Sequence, residues 1–103
     1  MDGLFMAEDD NYDEVIFYGL STCMWCRKTR ALLDEKNIEY TGIYVNELDA
    51  EEKERVSEEV RKLNPNRSYP TIKIGDRVVV GYHPEKIEEA LAACRIKMKS
   101  MSV

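Results

Sequence analysis

Long apolar runs are missing from this 103-residue chain. Nothing approaches the roughly 18 consecutive apolar residues of a membrane span, so no membrane-spanning role is expected. No secretory leader is expected either: Leu4-Phe5-Met6-Ala7 is a very short apolar stretch, with Asp2 before it and Glu8-Asp9-Asp10 after it instead of a basic start. Positive charge is in deficit. Fifteen Lys and Arg stand against 20 Asp and Glu, and the net charge of −5 repels a phosphate backbone and disfavours nucleic-acid binding. Three cysteines are too few, and odd in number, for the disulfide framework of a small secreted domain. Neither an internal repeat nor a low-complexity tract occurs. What remains, at 44% hydrophobic and 34% charged residues, is one domain long enough for its own core, expected to be cytoplasmic and monomeric.

Two of the cysteines form Cys23-Met24-Trp25-Cys26. That spacing is only suggestive alone; its setting makes it informative. Glu14–Tyr18 is a β-branched and aromatic run that reads as a buried strand. Gly19-Leu20-Ser21-Thr22 reads as a turn, and 27–36 as a helix rich in good formers, stopped at Asn37. The pair therefore sits where a strand hands over to a helix. The first N–H groups of a helix lack internal partners and carry partial positive charge, which favours a thiolate at Cys23. Arg27 and Lys28 add positive charge. Three residues on, Cys26 lies on the same face and one turn deeper, so Cys23 is expected to attack a disulfide and Cys26 to resolve the product. Each unit of lowered pKa gains at most about tenfold in thiolate and returns about threefold in nucleophilicity. Placement of the substrate and of the second sulfur should matter more.

Along the rest of the chain, residues 1–12 read as a flexible N-terminal segment, 13–97 as the domain and 98–103 as a C-terminal tail. Residues 38–45 read as a second strand, interrupted by Gly42. Asp49 and Glu52 have capping-box spacing and open a helix whose Val56, Val60 and Leu63 share a face, ended by Asn64-Pro65-Asn66. Its many mixed charges read as a solvated face. Thr71–Ile74, a turn at Gly75-Asp76 and Arg77–Val80 read as a β-hairpin. Pro84 suits the first position of a last helix with Ile87, Leu91, Cys94 and Met98 on one face, which makes Cys94 a packed core thiol. The order β-α-β-α-β-β-α predicts an α/β sandwich with a four-stranded mixed sheet.

With strand–Cys23-Met24-Trp25-Cys26–helix, Ser68-Tyr69-Pro70 and Gly81 after the final strand, the chain resembles the glutaredoxins, within the thioredoxin-like fold, from about Asp13 to Lys97. The resemblance implies a cis Pro70, with the backbone before it facing the reactive sulfur and able to pair with an extended substrate. It implies a dithiol thiol–disulfide oxidoreductase with no tightly bound cofactor, acting on protein disulfides or glutathione-mixed disulfides. Tyr18, Met24, Trp25, Arg27, Arg67, Ser68, Tyr69, Pro70, Gly81 and Tyr82 are the expected contacts for substrate, glutathione or partner. The departures from the pattern carry meaning. Met24 replaces the usual Pro, Leu20 stands where a Lys or Arg is usual, and Gly81-Tyr82-His83-Pro84-Glu85 replaces the Gly-Gly and Asp that hold glutathione. That last stretch is more similar to NrdH-redoxins, which a flavoprotein reductase of the thioredoxin-reductase type reduces and which serve ribonucleotide reductase. The balance tilts toward a protein reductant over glutathione, with Arg27 and Arg67 available to either.

An alternative comes from the same resemblance: dithiol glutaredoxins without the intervening Pro include iron–sulfur cluster carriers, and Met24 leaves that route open. A zinc site is disfavoured, because the remaining ligands of usual type, Cys94 and His83, lie far along the chain. His83, next to Pro84, reads as a helix-cap or surface residue.

Overall fold

Strand β1, Val15–Gly19, divides the core by its period-two alternation. Val15 and Phe17 point to one face of the sheet with Ile72, Ile74 and Val79, and are covered by Cys26, Leu33, Ile87 and Ala90. Tyr18 points to the other face, among Val45, Val56 and Val60. Fully burying a side chain such as Phe17, Leu33 or Ile72 contributes about 1.5–3 kcal/mol. The computed structural model describes residues 12–99, so the expected N-terminal segment before Tyr12 and the tail beyond Lys99 lie outside the described residues.

The chain runs β1, α1 (Met24–Glu35), β2 (Thr41–Tyr44), a 3₁₀ turn (Val45–Glu47), α2 (Ala50–Leu63), β3 (Thr71–Ile74), β4 (Arg77–Val80) and α3 (Pro84–Ala93). The sheet order is β2-β1-β3-β4. β1 is parallel to β2 and antiparallel to β3, and β3 and β4 form the antiparallel hairpin, as the element order predicts. Helices α1 and α3 cover one face and α2 the other. This is the α/β sandwich read from the sequence.

Three boundaries differ from the sequence reading by more than one residue. The second strand is shorter than residues 38–45: Ile38 instead makes an isolated bridge with Met98, and Val45 enters the 3₁₀ turn. The last helix stops at Ala93 with Cys94 as its cap, so Met98 does not share the face of Ile87. Residues 95–99 run back extended along 37–39, through Glu39 N–H to the Lys97 carbonyl and Lys99 N–H to the Asn37 carbonyl, 2.8 and 2.9 Å. The first helix begins earlier, at Met24, and Cys23 is its N-cap.

The topology brings four chain segments to one edge of the sheet. Parallel β1 and β2 both end there, β3 begins there (Tyr18 pairs with Thr71), and β4 ends there (Thr71 pairs with Val80). The loops at this edge are 20–23, the 3₁₀ turn, 64–70 and 81–83.

Candidate active site

Cys23 sits at the mouth of this edge because a tight turn puts it there. Its N–H donates to the Leu20 carbonyl at 3.1 Å, and the turn is pinned from the side by Asn46. Asn46 Oδ1 accepts from Ser21 N–H and its amide donates to Ser21 Oγ, both at 2.9 Å. As N-cap, Cys23 is extended (φ −94°, ψ 121°), and its Sγ accepts from Cys26 N–H at 3.3 Å. Burial pushes the Cys23 thiol up. Hydrogen bonds from the Cys26 thiol and from the Cys26 and Trp25 N–H groups, together with the Arg27 charge, outweigh it and leave the group below the usual thiol range. Lys28 is not among these causes: its Nζ lies 5.2 Å from the Trp25 ring centroid instead.

Cys26 is completely buried, and its Sγ accepts from Leu20 N–H at 3.4 Å. Burial, together with the hydrogen bond to Cys23, pushes this thiol up to about 12. The two sulfurs, alike in sequence, thus have opposite tendencies: a partly buried one that ionises easily and a buried one that holds its proton.

Opposite the pair, the Tyr69-Pro70 bond is cis, as the resemblance implies. Asn64, read from the sequence only as a helix stop, organises this loop. Its buried amide donates to the Ser68 carbonyl, Ser68 Oγ and Thr71 Oγ1, and Thr71 Oγ1 donates to the Ser68 carbonyl at 2.7 Å. These bonds hold Arg67 in the left-handed region (φ 51°), which is uncommon outside glycine. Gly81 (φ 91°) donates its N–H to the Pro70 carbonyl at 2.8 Å, tying the loop after β4 to the cis peptide. Among the described residues, the N–H and carbonyl of Tyr69 take no partner.

Trp25, Tyr69, Pro70, Gly81 and Tyr82 line a shallow cavity of about 230 Å³ beside the sulfurs. Tyr82 stacks on Trp25, with ring centroids 5.6 Å apart and planes 28° from parallel. Met24 and Trp25 are 58% and 53% exposed, an unusual display for large apolar side chains. Arg27, whose charge reaches Cys23, and Arg67, whose charge reaches Tyr69, are both exposed.

One expected contact turns elsewhere. Tyr18 points to the α2 face, where its hydroxyl donates to Glu59 at 3.4 Å and burial, then Glu59, raises its pKa to about 12. Ser68 stays exposed, with its Oγ accepting from the Asn64 amide at 3.1 Å. Gly19, read as a turn residue, proves to be a close-approach position: a Cβ there would lie 2.6 Å from Phe17 Cζ and 3.2 Å from Cys26 Cβ. Cys94, partly buried, approaches the Ile74 carbonyl at 3.6 Å, and burial followed by Asp13 raises its pKa. A cavity of about 380 Å³ lined by Tyr12, Tyr40, Lys97 and Lys99 opens near the start of β1, remote from both active-site sulfurs. Among the described residues no group of three or more His, Cys, Asp or Glu converges on a metal-sized site, and no helix is long and apolar enough to cross a membrane.

The glutaredoxin family model matches residues 15–79, from the first residue of β1 into β4. The chain belongs to the glutaredoxin family. It is 34% identical over 74 residues to an uncharacterised glutaredoxin-like 8.6 kDa protein in a rubredoxin operon of Clostridium pasteurianum, covering 72% of this chain and 92% of that one. It is 40% identical over 67 residues to glutaredoxin 1 of Rickettsia felis, where the match covers 65% of this chain and 62% of the relative. Its fold superposes on the crystal structure of the glutaredoxin from Methanosarcina mazei Go1 with a TM-score of 0.73 and 42% identity, covering 77% and 78% of the two chains. This glutaredoxin-family chain therefore carries Cys23 and Cys26 as a redox pair of the family type, on the family's fold.

Proposed function

We infer that the protein is a dithiol thiol–disulfide oxidoreductase in which Cys23 attacks and Cys26 resolves. The observation that carries this reading is the pairing of an ionisable N-cap sulfur with a buried protonated one, beside a cis Pro70. The Cys23 thiolate attacks one sulfur of the substrate disulfide. That S–S bond breaks, a Cys23–substrate disulfide forms, and the other substrate sulfur leaves as a thiolate that takes up a proton. Forming the mixed disulfide also removes the Cys23 thiolate, which contributes through both its hydrogen bond and its charge to keeping Cys26 protonated. Cys26 can then release its proton and attack Cys23 Sγ, expelling the second substrate thiolate. Two electrons have passed to the substrate, and Cys23 and Cys26 are left as a disulfide.

The open N–H and carbonyl of Tyr69 support recognition of an extended backbone laid alongside as an added strand. Met24, Trp25, Tyr82 and the exposed cations Arg27 and Arg67 frame the place where its side chains fall. The disulfide is returned to the dithiol by glutathione or by a flavoprotein reductase of the thioredoxin-reductase type. The Tyr82–Trp25 stack fills space beside Gly81 and favours the protein reductant. Ribonucleotide reductase is a candidate among the disulfide-bearing substrates, and the cytoplasm is the fitting compartment.

The reading is tested with Cys26→Ser. Mixed with an oxidised protein substrate, this variant accumulates a stable Cys23-linked mixed disulfide, visible as a mass shift that dithiothreitol reverses. An adduct on Cys94, or none at all while the wild type turns over, refutes the assignment. Reducing the oxidised wild type in parallel with glutathione and with the flavoenzyme decides the electron donor.

A further inference from the structure

The acidic residues of this chain are unevenly placed. It carries 20 Asp and Glu, yet of the four loops at the Cys23 edge 20–23, 64–70 and 81–83 contain none, nor does the first turn of α1, and only the 3₁₀ turn contributes one, Glu47. Arg27, Lys28 and Arg67 are exposed on this face. None has a carboxylate within ion-pair distance among the described residues, whereas Arg55 and Arg61 of α2 are paired with Glu on their own helix. Unpaired cations on one face of a net-negative protein make a directed field, and such a field selects the sign of what docks there.

The shape of the face extends past the sulfurs. Tyr82 stands between two concavities. One is the 230 Å³ cavity with Trp25, Tyr69 and Pro70; the other, of about 430 Å³, follows the flank of α1 and is lined by Lys28, Ala31, Leu32, Glu35 and Tyr82. A chain paired with Tyr69 meets the apolar cavity first, then Tyr82, then Lys28 over the Trp25 ring. Glu35 closes the far end, so an acidic stretch on such a chain ends near Lys28.

We propose that the preferred oxidised substrate is a protein disulfide set in an extended, acidic segment with an apolar residue beside the attacked cysteine. The segment lies across Tyr69 and over Tyr82 onto the α1 flank, its carboxylates meeting Arg67, Arg27 and Lys28. This rests on the oxidoreductase reading above; it adds the substrate's charge and its path.

The test uses single turnovers of the pre-reduced protein, followed through the fluorescence of its one tryptophan, which lies beside Cys23. The probes are oxidised glutathione and three disulfide-bridged peptides that differ only in carrying Glu, Gln or Lys on both sides of a Leu-Cys step. At low salt the Glu peptide reacts about tenfold faster than the Lys peptide, and the ratio shrinks to about twofold or less in 0.5 M NaCl. Lys28→Glu combined with Arg67→Glu reverses the order. Arg77→Glu, an equal change per residue at the opposite end of the β4 strand, leaves the ratio where it was. Tyr82→Ser lowers the rate of the Glu peptide relative to oxidised glutathione several-fold. Equal rates for the Glu and Lys peptides overturn the proposal and leave the oxidoreductase reading standing, as does an equal shift from Arg77→Glu or a faster reaction with oxidised glutathione than with the Glu peptide. If the wild type reduces none of the four disulfides, the oxidoreductase reading fails and takes this proposal with it.

Discussion

Helices α1 and α2 begin with the same hydrogen bond made by different atoms. Asp49 caps α2 by accepting from Glu52 N–H at 2.9 Å, and Cys23 caps α1 by accepting from Cys26 N–H at 3.3 Å. The surroundings then diverge. Glu51 and Glu52 follow in the first turn of α2, and Arg61 and Lys62 occupy its last, so charges of both signs answer the helix dipole. The first turn of α1 holds no acid at all. In α2 the positive end of the helix is answered by fixed carboxylates and contributes stability. In α1 it is left for a sulfur that can take up or release a proton, and the same local field becomes reactivity. One motif of backbone geometry thus serves two purposes, and the cap atom and its neighbours decide which.

The sharpest way to break the comparison is to give α1 the cap that α2 has. Cys23→Asp retains a good cap, so thermal stability stays within about 1 kcal/mol of the wild type. Disulfide reduction falls by about 10³-fold or more, because the nucleophile is gone. A stable variant with residual turnover would move the nucleophile elsewhere. Gly19→Ala attacks the packing that seats α1 on β1: the new Cβ falls 2.6 Å from Phe17 Cζ, and chemical denaturation should register a loss of about 1–3 kcal/mol. Asp49→Ala removes the other cap and costs about 1 kcal/mol on the same assay, with disulfide reduction unchanged.

The smallest expected effect sharpens the contrast by pH. Since the Cys23 thiol is held below its usual range, its alkylation rate, which follows the thiolate, falls away only as pH drops through a midpoint below the ordinary thiol value of about 8.5. Arg27→Glu replaces an attractive charge with a repulsive one. It moves that midpoint upward and slows iodoacetamide labelling at pH 7 by a few-fold.

Much of this was legible in the chain itself, for physical reasons. The Asp49–Glu52 spacing marked the start of α2 because capping is a local interaction. The hairpin was legible from Gly75-Asp76, and Gly75 indeed adopts a positive φ of 62°. Longer-range matters were not. The spacing of Leu91, Cys94 and Met98 continues a helical face, but Arg95-Ile96-Lys97-Met98-Lys99 also alternates as a strand does, and pairing with residues 37–39 wins. Tyr18 was among the expected contacts for substrate or partner, yet strand parity sends it to the α2 side. The roles of Asn46 and Asn64 depend on partners that only the folded loops bring within reach, and nothing in their immediate sequence announces them.

The three sulfurs carry a practical consequence. Cys26 is sealed in the core, and Cys94 is partly covered and disinclined to ionise. At neutral pH Cys23 is therefore expected to take up a spin label or fluorophore faster than the other two thiols. A tag placed there sits at the rim of the proposed docking surface, and a change in its mobility on adding a substrate peptide would report arrival.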